Sequence, residues 1–231
     1  MATDLLQRVT PARSRFLRSR AWLGAVGTAL LLIVMTATVP VSRVAILRAT
    51  GHLLVVDPPL PKSTDIIVVA IDADGAGALE AADLVHRGLA NRVAVFADPP
   101  GPVDREFLRR GLPYEDAAAI SIRELQSLGV QNTEQISRTV TGSTQESDLL
   151  PEWCVRHGYR SAILVTTWDH SRRLSRLFRR SMRGEPVQII VRPSPYSPFN
   201  PDRWWHTRAG VRLGIFEFEK LVLDVAAHPL Y

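Results

Sequence analysis

Hydrophobic residues beyond position 64 fall into two alternating patterns. Short apolar runs rich in β-branched residues predict buried strands, and apolar positions three and four residues apart predict helices. The predicted strands are Ile66–Ile71, Arg92–Ala97, Ser161–Val165 and Val187–Val191. The predicted helices include Leu79–Leu84, Val103–Arg110, Ala117–Leu128, Thr144–His157, Leu174–Phe178 and Val211–Val225. Because strands alternate with helices, the pattern predicts an α/β domain with a parallel sheet covered by helices on both faces.

The amino-terminal part has a different pattern, a run of 22 residues from Ala21 to Ser42 without a charged side chain. As a helix this run would be about 33 Å long, enough to cross a hydrocarbon core of about 30 Å. Five arginines precede it within residues 1–20, and this excess of positive charge predicts that residues 1–20 form a basic cytoplasmic tail. Residues 21–42 are therefore a predicted transmembrane helix. A cleaved signal peptide, with a cleavage site at residues 37–39, is the alternative.

Proline separates this segment from the predicted domain. Residues 43–63 are predicted to form a juxtamembrane linker, because Pro58, Pro59 and Pro61 disfavour both a helix and a central strand. The extracytoplasmic domain is then predicted to cover residues 64–231.

The charge and cysteine content of the chain argue against a nucleic-acid partner and exclude an intrachain disulfide. The net charge of the chain is +5, but residues 1–20 alone carry five arginines and one aspartate. From residue 64 onward, 20 basic and 21 acidic residues nearly cancel. Since a nucleic-acid-binding domain is normally clearly basic, this balance argues against a nucleic-acid partner. Cys154 is the single cysteine, so the chain has no intrachain disulfide.

Polar residues follow the third predicted strand directly. Thr166 and Thr167 come first, and His170 and Arg173 follow within one helical turn. Because open α/β sheets bind ligands at the carboxyl ends of their strands, this stretch is a predicted ligand site. Asp169 lies where the next helix begins, so its alternative role is to cap that helix.

Five motifs span residues 57–225: DPPLPKSTDIIVV, LGVQNTEQI, GSTQES, VTTWDHSRR and a late WW followed by EFEK. Together they resemble the YdcF/SanA/ElyC-like family of bacterial envelope proteins, whose domain has no established reaction. The resemblance implies a three-layer Rossmann-like fold, a single-pass anchor in the bacterial inner (plasma) membrane and a role in cell-envelope or peptidoglycan integrity. The implied partner is a cell-wall precursor bearing phosphate or sugar, or another envelope protein. The resemblance identifies no cofactor and no metal.

Two family motifs carry candidate site residues. The family's Thr-x-Glu-Asn falls on residues 144–147 and its His-x-x-Arg on residues 170–173. By this resemblance His170 and Glu146 are candidate catalytic residues, for acid/base chemistry and for orientation, and Arg173 is a candidate anion ligand. Thr144, Thr166 and Thr167 are further candidate ligand contacts.

The chain departs from the family after its first two strands. Glycine-rich turns are replaced by Asp72-Ala73-Asp74-Gly75 and by Asp98-Pro99-Pro100-Gly101, so the chain resembles a divergent member. Asp72, Asp74 and Gly75 are nevertheless candidate ligand-binding residues, because they follow a predicted strand.

Two of these patterns have other interpretations. Ser143 and Glu146 fit an S-x-x-E capping box, and Glu217 with Lys220 fits a surface pair on the last helix.

The first strand and its aspartates also resemble the first motif of haloacid-dehalogenase-type phosphatases, in which the first aspartate is the nucleophile, the second a general acid, and magnesium binds between them and phosphate. The chain has only two lysines for such a site, Lys62 and Lys220. A non-catalytic envelope interaction module is the remaining alternative, so the sequence leaves open whether the domain is an enzyme.

Overall fold

A computed structural model describes residues 27–28, 34 and 39–230 of the chain. The predicted tail of residues 1–20 and most of the predicted membrane segment, residues 21–42, lie outside the described residues. Within the described part, no helix is both long and apolar enough to cross a membrane. A compact unit that contains the sheet and the candidate site begins at Arg48.

The centre of this unit is a five-stranded parallel sheet with the order β3-β2-β1-β4-β5. The strands are β1 (Ile66–Val69), β2 (Val93–Ala97), β3 (Thr133–Thr139), β4 (Ser161–Thr166) and β5 (Gln188–Pro193). The helices are α1 (Pro40–Leu53), α2 (Asp74–His86), α3 (Pro102–Arg109), α4 (Ala117–Ser127), α5 (Ser143–Arg156), α6 (Ser171–Ser181) and α7 (Arg208–Ala227), with a short 3₁₀ turn at Trp204–His206. The predicted α/β architecture with a parallel sheet is confirmed, and it is consistent with a Rossmann-like fold.

The strand order explains why helices cover both faces of the sheet. The chain runs from β1 outward to β2 and β3, and then returns to β4 and β5 on the other side of β1. Right-handed crossovers in opposite directions place their helices on opposite faces. Accordingly α2 packs against α4, and α5 packs against α6. All residues of β1 and β2 are buried, as expected for central strands of a covered parallel sheet.

Strand β3 is the element that the hydrophobic pattern missed. Its sequence, TEQISRT, has one buried residue, Ile136, because β3 lies at an edge of the sheet and is only partly covered. The prediction that Ser161–Val165 forms the third strand is therefore wrong, since this segment is the fourth strand in chain order.

The segment predicted as a linker is also partly built into the fold. Helix α1 continues to Leu53, and Leu54 is buried against Phe199 and Leu221. The carbonyl of Leu54 accepts a hydrogen bond from the amide of Arg172 (3.1 Å), and the Ser171 hydroxyl accepts one from the amide of Val56 (2.9 Å). The residues after α1 thus hold the first turn of α6, which carries the candidate site.

Candidate functional site

The candidate site lies where the direction of the chain across the sheet reverses. Strands β1 and β4 are adjacent, yet their following helices lie on opposite faces, so the chain leaves the carboxyl ends of these two strands in opposite directions. Such a switch point is where open α/β sheets usually bind ligands. Asp72 follows β1 here, and His170 follows β4.

A buried ionic cluster joins the start of α6 to α7. Arg173 donates from Nε to Glu217 Oε2 (2.8 Å) and from Nη2 to Glu217 Oε1 (3.3 Å). Nδ1 of His170 lies 3.0 Å from Glu217 Oε2, and Nζ of Lys220 lies 2.7 Å from Oε1. The Glu217 side chain is only 2% exposed. The expectation of a surface pair between Glu217 and Lys220 is therefore wrong for Glu217, although Lys220 itself is half exposed.

The tautomer of His170 follows from these contacts. Nδ1 of His170 also lies 3.3 Å from Nη2 of Arg173, which has only protons to offer. Because the carboxylate of Glu217 is a far better partner for an N–H group, we assign the Nδ1 proton to a hydrogen bond with Glu217. The opposite ring nitrogen, Nε2, is then left for a ligand, with Asp169 Oδ2 at 3.8 Å as its nearest carboxylate oxygen.

The cluster also shifts the protonation of its members. Burial alone would raise the pKa of Glu217, but hydrogen bonds from His170 and Arg173 outweigh it and hold the pKa well below its usual range. Burial alone would lower the pKa of His170, but the hydrogen bond to Glu217 and its charge outweigh burial and raise the pKa. Glu217 is thus a fixed anion, and His170 binds its proton more tightly than an exposed histidine does.

Glu146 lies in a different environment, at the first turn of α5. The helix is capped by Gly142 without a side-chain hydrogen bond, so the capping-box interpretation of Ser143 and Glu146 is wrong. Instead, Oε1 of Glu146 accepts a hydrogen bond from the amide of Ile71 (2.7 Å), just beyond β1. Oε2 is buried and has no hydrogen-bond partner among the residues described. Burial raises the pKa of Glu146 to about 7, although the Ile71 amide opposes this shift.

Cationic groups line one cavity of the site, which has a volume of about 450 Å³. Arg173 and Lys220 contribute two cations, the loop at residues 141–144 contributes hydroxyl groups and the amino terminus of α5, and Asp72 contributes one carboxylate. Ser143 Oγ lies 3.4 Å from Arg173 Nη2. The predicted ligand residues Thr144 and Arg173 therefore meet at one cavity.

Asp72 also lines a second cavity, of about 350 Å³. It is lined by Asp74, Thr167, Asp169 and His170 among other residues. Asp169 does not cap α6, since the helix is capped by His170 without a side-chain hydrogen bond.

Two of the predicted residues lie elsewhere. Thr166 closes β4 and is fully buried, and it lines neither of these two cavities. Gly75 lines a separate, mostly apolar cavity between α2 and α4. Sequence reasoning missed the role of Glu217 and the open carboxylate of Asp169. The EFEK motif was the only signal that pointed toward Glu217.

The aspartates of the phosphatase alternative do lie together at the second cavity. Asp74 begins α2 with a left-handed backbone (φ 43°), and its pKa is raised by burial and by the charges of Asp72 and Asp98. In the part of the chain that the structure describes, no three His, Cys, Asp or Glu side chains are grouped so that they could hold a metal ion.

No protein-family model matches the chain, and no curated protein is significantly similar to it.

Proposed function

We propose that this chain is a membrane-anchored, extracytoplasmic Rossmann-like domain that binds or processes a phosphate- or sugar-bearing precursor of the bacterial cell wall. The envelope setting comes from the uncharged run at residues 21–42 and from the motif resemblance. The residues that line the site indicate the chemistry of the ligand.

The observation that carries the proposal is the cationic cavity at the amino terminus of α5. The free amides at the start of a helix favour an anion, and Arg173 and Lys220 face the same cavity. Two hydrogen bonds to Glu217 fix the guanidinium of Arg173, which leaves Nη1 as its remaining donor group. An arginine fixed in this way loses little side-chain entropy when it binds phosphate.

Proton transfer is assigned to Glu146 and to His170, which lines the second cavity and lies 3.3 Å from Arg173 of the cationic one. The Nδ1–H group of His170 is held by Glu217, so Nε2 is oriented for a ligand in the way that a catalytic histidine requires. Glu146 has a pKa of about 7 and is influenced by the charges of His170 and Arg173. Since both of its protonation states are accessible at neutral pH, Glu146 can take up or release the proton that balances charge when an anion binds.

The proposal is tested by ligand-induced stabilisation of the 231-residue chain, purified in a mild detergent, with inorganic phosphate and methyl phosphate as probes. A ligand at a hundredfold excess over its Kd stabilises the native state by about 2.7 kcal/mol. Lys220→Met should weaken phosphate binding about tenfold, because the exposed ammonium lines the cavity. The matched control is Arg212→Met, an exposed cation on the same helix.

Equal affinities for the wild-type chain and Lys220→Met would show that phosphate does not bind in this cavity. Failure of both probes to stabilise the wild-type chain would favour the non-catalytic interaction module. Stabilisation that needs magnesium, survives His170→Gln and is lost in Asp72→Asn would favour the phosphatase alternative.

A further inference from the structure

The second cavity of the site has a different chemistry from the cationic one. Its lining includes three carboxylates, those of Asp72, Asp74 and Asp169. Apolar lining comes from Pro198 and Leu213, and Tyr196 adds an aromatic ring. Tyr196 is held in place by its hydroxyl group, which donates to Asp83 Oδ2 (2.7 Å).

Two polar side chains at this cavity are buried without hydrogen bonds. The carboxylate of Asp169 is 1% exposed, and neither of its oxygens accepts a hydrogen bond from the described residues. Burial raises the pKa of Asp169 and the nearby Thr167 hydroxyl opposes this shift, but neither side chain has a partner at hydrogen-bond geometry among the described residues. Buried polar groups in native proteins nearly always have partners. Asp169 and Thr167 are therefore the groups that a bound ligand would satisfy.

The required ligand must bring hydrogen-bond donors, because a carboxylate only accepts. It must also carry no negative charge at this end, since three aspartates repel an anion. Sugar hydroxyl groups meet both conditions. The apolar C–H face of a sugar ring can in turn pack on Tyr196, Pro198 and Leu213.

The two cavities are neighbours in the structure. Asp72 lines both of them. His170 lines the acidic cavity and Arg173 lines the cationic one, and the two side chains approach to 3.3 Å. Groups bound in the two cavities would be close enough to belong to one small molecule.

We propose that the site takes a phosphorylated sugar, with the phosphate group in the cavity of Arg173 and Lys220 and the sugar ring in the cavity of Asp169 and Thr167. This inference rests on the proposed phosphate site. It adds the substrate class and assigns sugar recognition to Asp169, Thr167 and Tyr196.

The test compares Kd values of the 231-residue chain for four probes: methyl phosphate, phosphoethanolamine, glucose 1-phosphate and N-acetylglucosamine 1-phosphate. At least one sugar phosphate should bind tenfold or more tightly than methyl phosphate. Asp169→Asn and Thr167→Val, which preserve side-chain size, should each remove most of this advantage while the affinity for methyl phosphate stays within twofold. Thr144→Val, in the cationic cavity, is the matched control and should weaken all phosphate probes alike.

Each other outcome has a defined meaning. If methyl phosphate binds and neither sugar phosphate binds more tightly, the assignment of a sugar ring to the acidic cavity is wrong, whereas the proposed phosphate site is supported. If phosphoethanolamine binds tightest, the acidic cavity accepts an ammonium group and the inference is wrong. If no probe binds, both this inference and the proposed phosphate site are wrong.

Discussion

Two equally buried glutamates of the site have opposite surroundings. Glu217 on α7 is 2% exposed and Glu146 on α5 is 0% exposed. Glu217 contacts three basic side chains, His170, Arg173 and Lys220, whereas Glu146 receives one backbone hydrogen bond and keeps one oxygen unpaired. The pKa of Glu217 is lowered and that of Glu146 is raised to about 7. Burial therefore does not decide the charge of a carboxyl group here, and its partners do.

This difference gives the two regions different tasks. The α6–α7 region around Glu217 holds a permanent charge arrangement that orients His170 and Arg173. The α5–β1 region around Glu146 holds a carboxyl group that can change protonation without leaving the core. A site with one fixed anion and one exchangeable proton is suited to acid/base chemistry on an anionic ligand.

The largest effect on stability is expected when the fixed anion, Glu217, is removed. Glu217→Ala leaves Arg173 buried without its counter-charge, so we expect a loss of about 3 to 5 kcal/mol in the free energy of unfolding. Urea denaturation at pH 7 measures this loss. Glu219→Ala changes an exposed glutamate on the same helix and should cost less than about 0.5 kcal/mol. Similar small losses for both variants would show that the cluster is not a buried ionic unit.

The second prediction concerns the pH dependence that Glu146 creates. Its folded pKa of about 7 lies above its ordinary value of 4.5, so the folded state binds more protons between these values and stability falls as pH rises through this window. Glu146→Gln removes this contribution. From pH 4.5 to pH 8 the wild-type chain should lose about 3 kcal/mol relative to the variant, since each pKa unit corresponds to about 1.4 kcal/mol.

Unfolding free energies across this pH range measure the effect of Glu146. The control variant is Glu152→Gln, an exposed glutamate on the same helix. Parallel pH profiles for the wild-type chain and Glu146→Gln would contradict the assignment of a raised pKa.

Asp224 is another mostly buried carboxylate that, like Glu217, is paired with arginine. Its oxygens accept from Arg176 Nε and Arg180 Nη2, both at 2.6 Å. Burial alone would raise its pKa, but these hydrogen bonds outweigh it and lower the pKa below 3.8. Asp224→Asn should cost about 1 to 3 kcal/mol at neutral pH.

The pH dependence of stability in acid tests the role of the Asp224 charge. A lowered pKa contributes stability that is fully present above the unfolded value of 3.8 and is lost as pH falls through the folded value. The difference between the wild-type chain and Asp224→Asn should therefore shrink in strong acid. A constant difference at all pH values would point to lost packing instead of lost charge.

The smallest effect is expected at Lys220. Its side chain is 53% exposed, so its pair with Glu217 should contribute at most about 1 kcal/mol, and less at high salt. Lys220→Met should thus leave the urea midpoint nearly unchanged while it weakens phosphate binding. A large loss of stability would instead show that Lys220 has a structural role in the ionic cluster.

The sequence predicted the local features of this site better than the distant ones. Strands β1, β2, β4 and β5 each contain a continuous apolar run, whereas β3 is a polar edge strand and was missed. The positions of His170 and Arg173 follow from their place directly after a strand. The partner of Arg173 is 44 residues away, and that of Glu146 is 75 residues away. Such pairings depend on how α5, α6 and α7 pack on the sheet, so periodicity within one segment does not contain them.

The most direct test of this account is a carboxyl-carbon NMR titration of the 231-residue chain labelled at glutamate, with Glu146→Gln and Glu217→Gln used to assign the two signals. We predict that Glu146 titrates near pH 7 and that Glu217 stays ionised well below pH 4.5. If both carboxyl groups titrate near 4.5, the site has neither its fixed anion nor its exchangeable proton, and the proposed acid/base role is wrong.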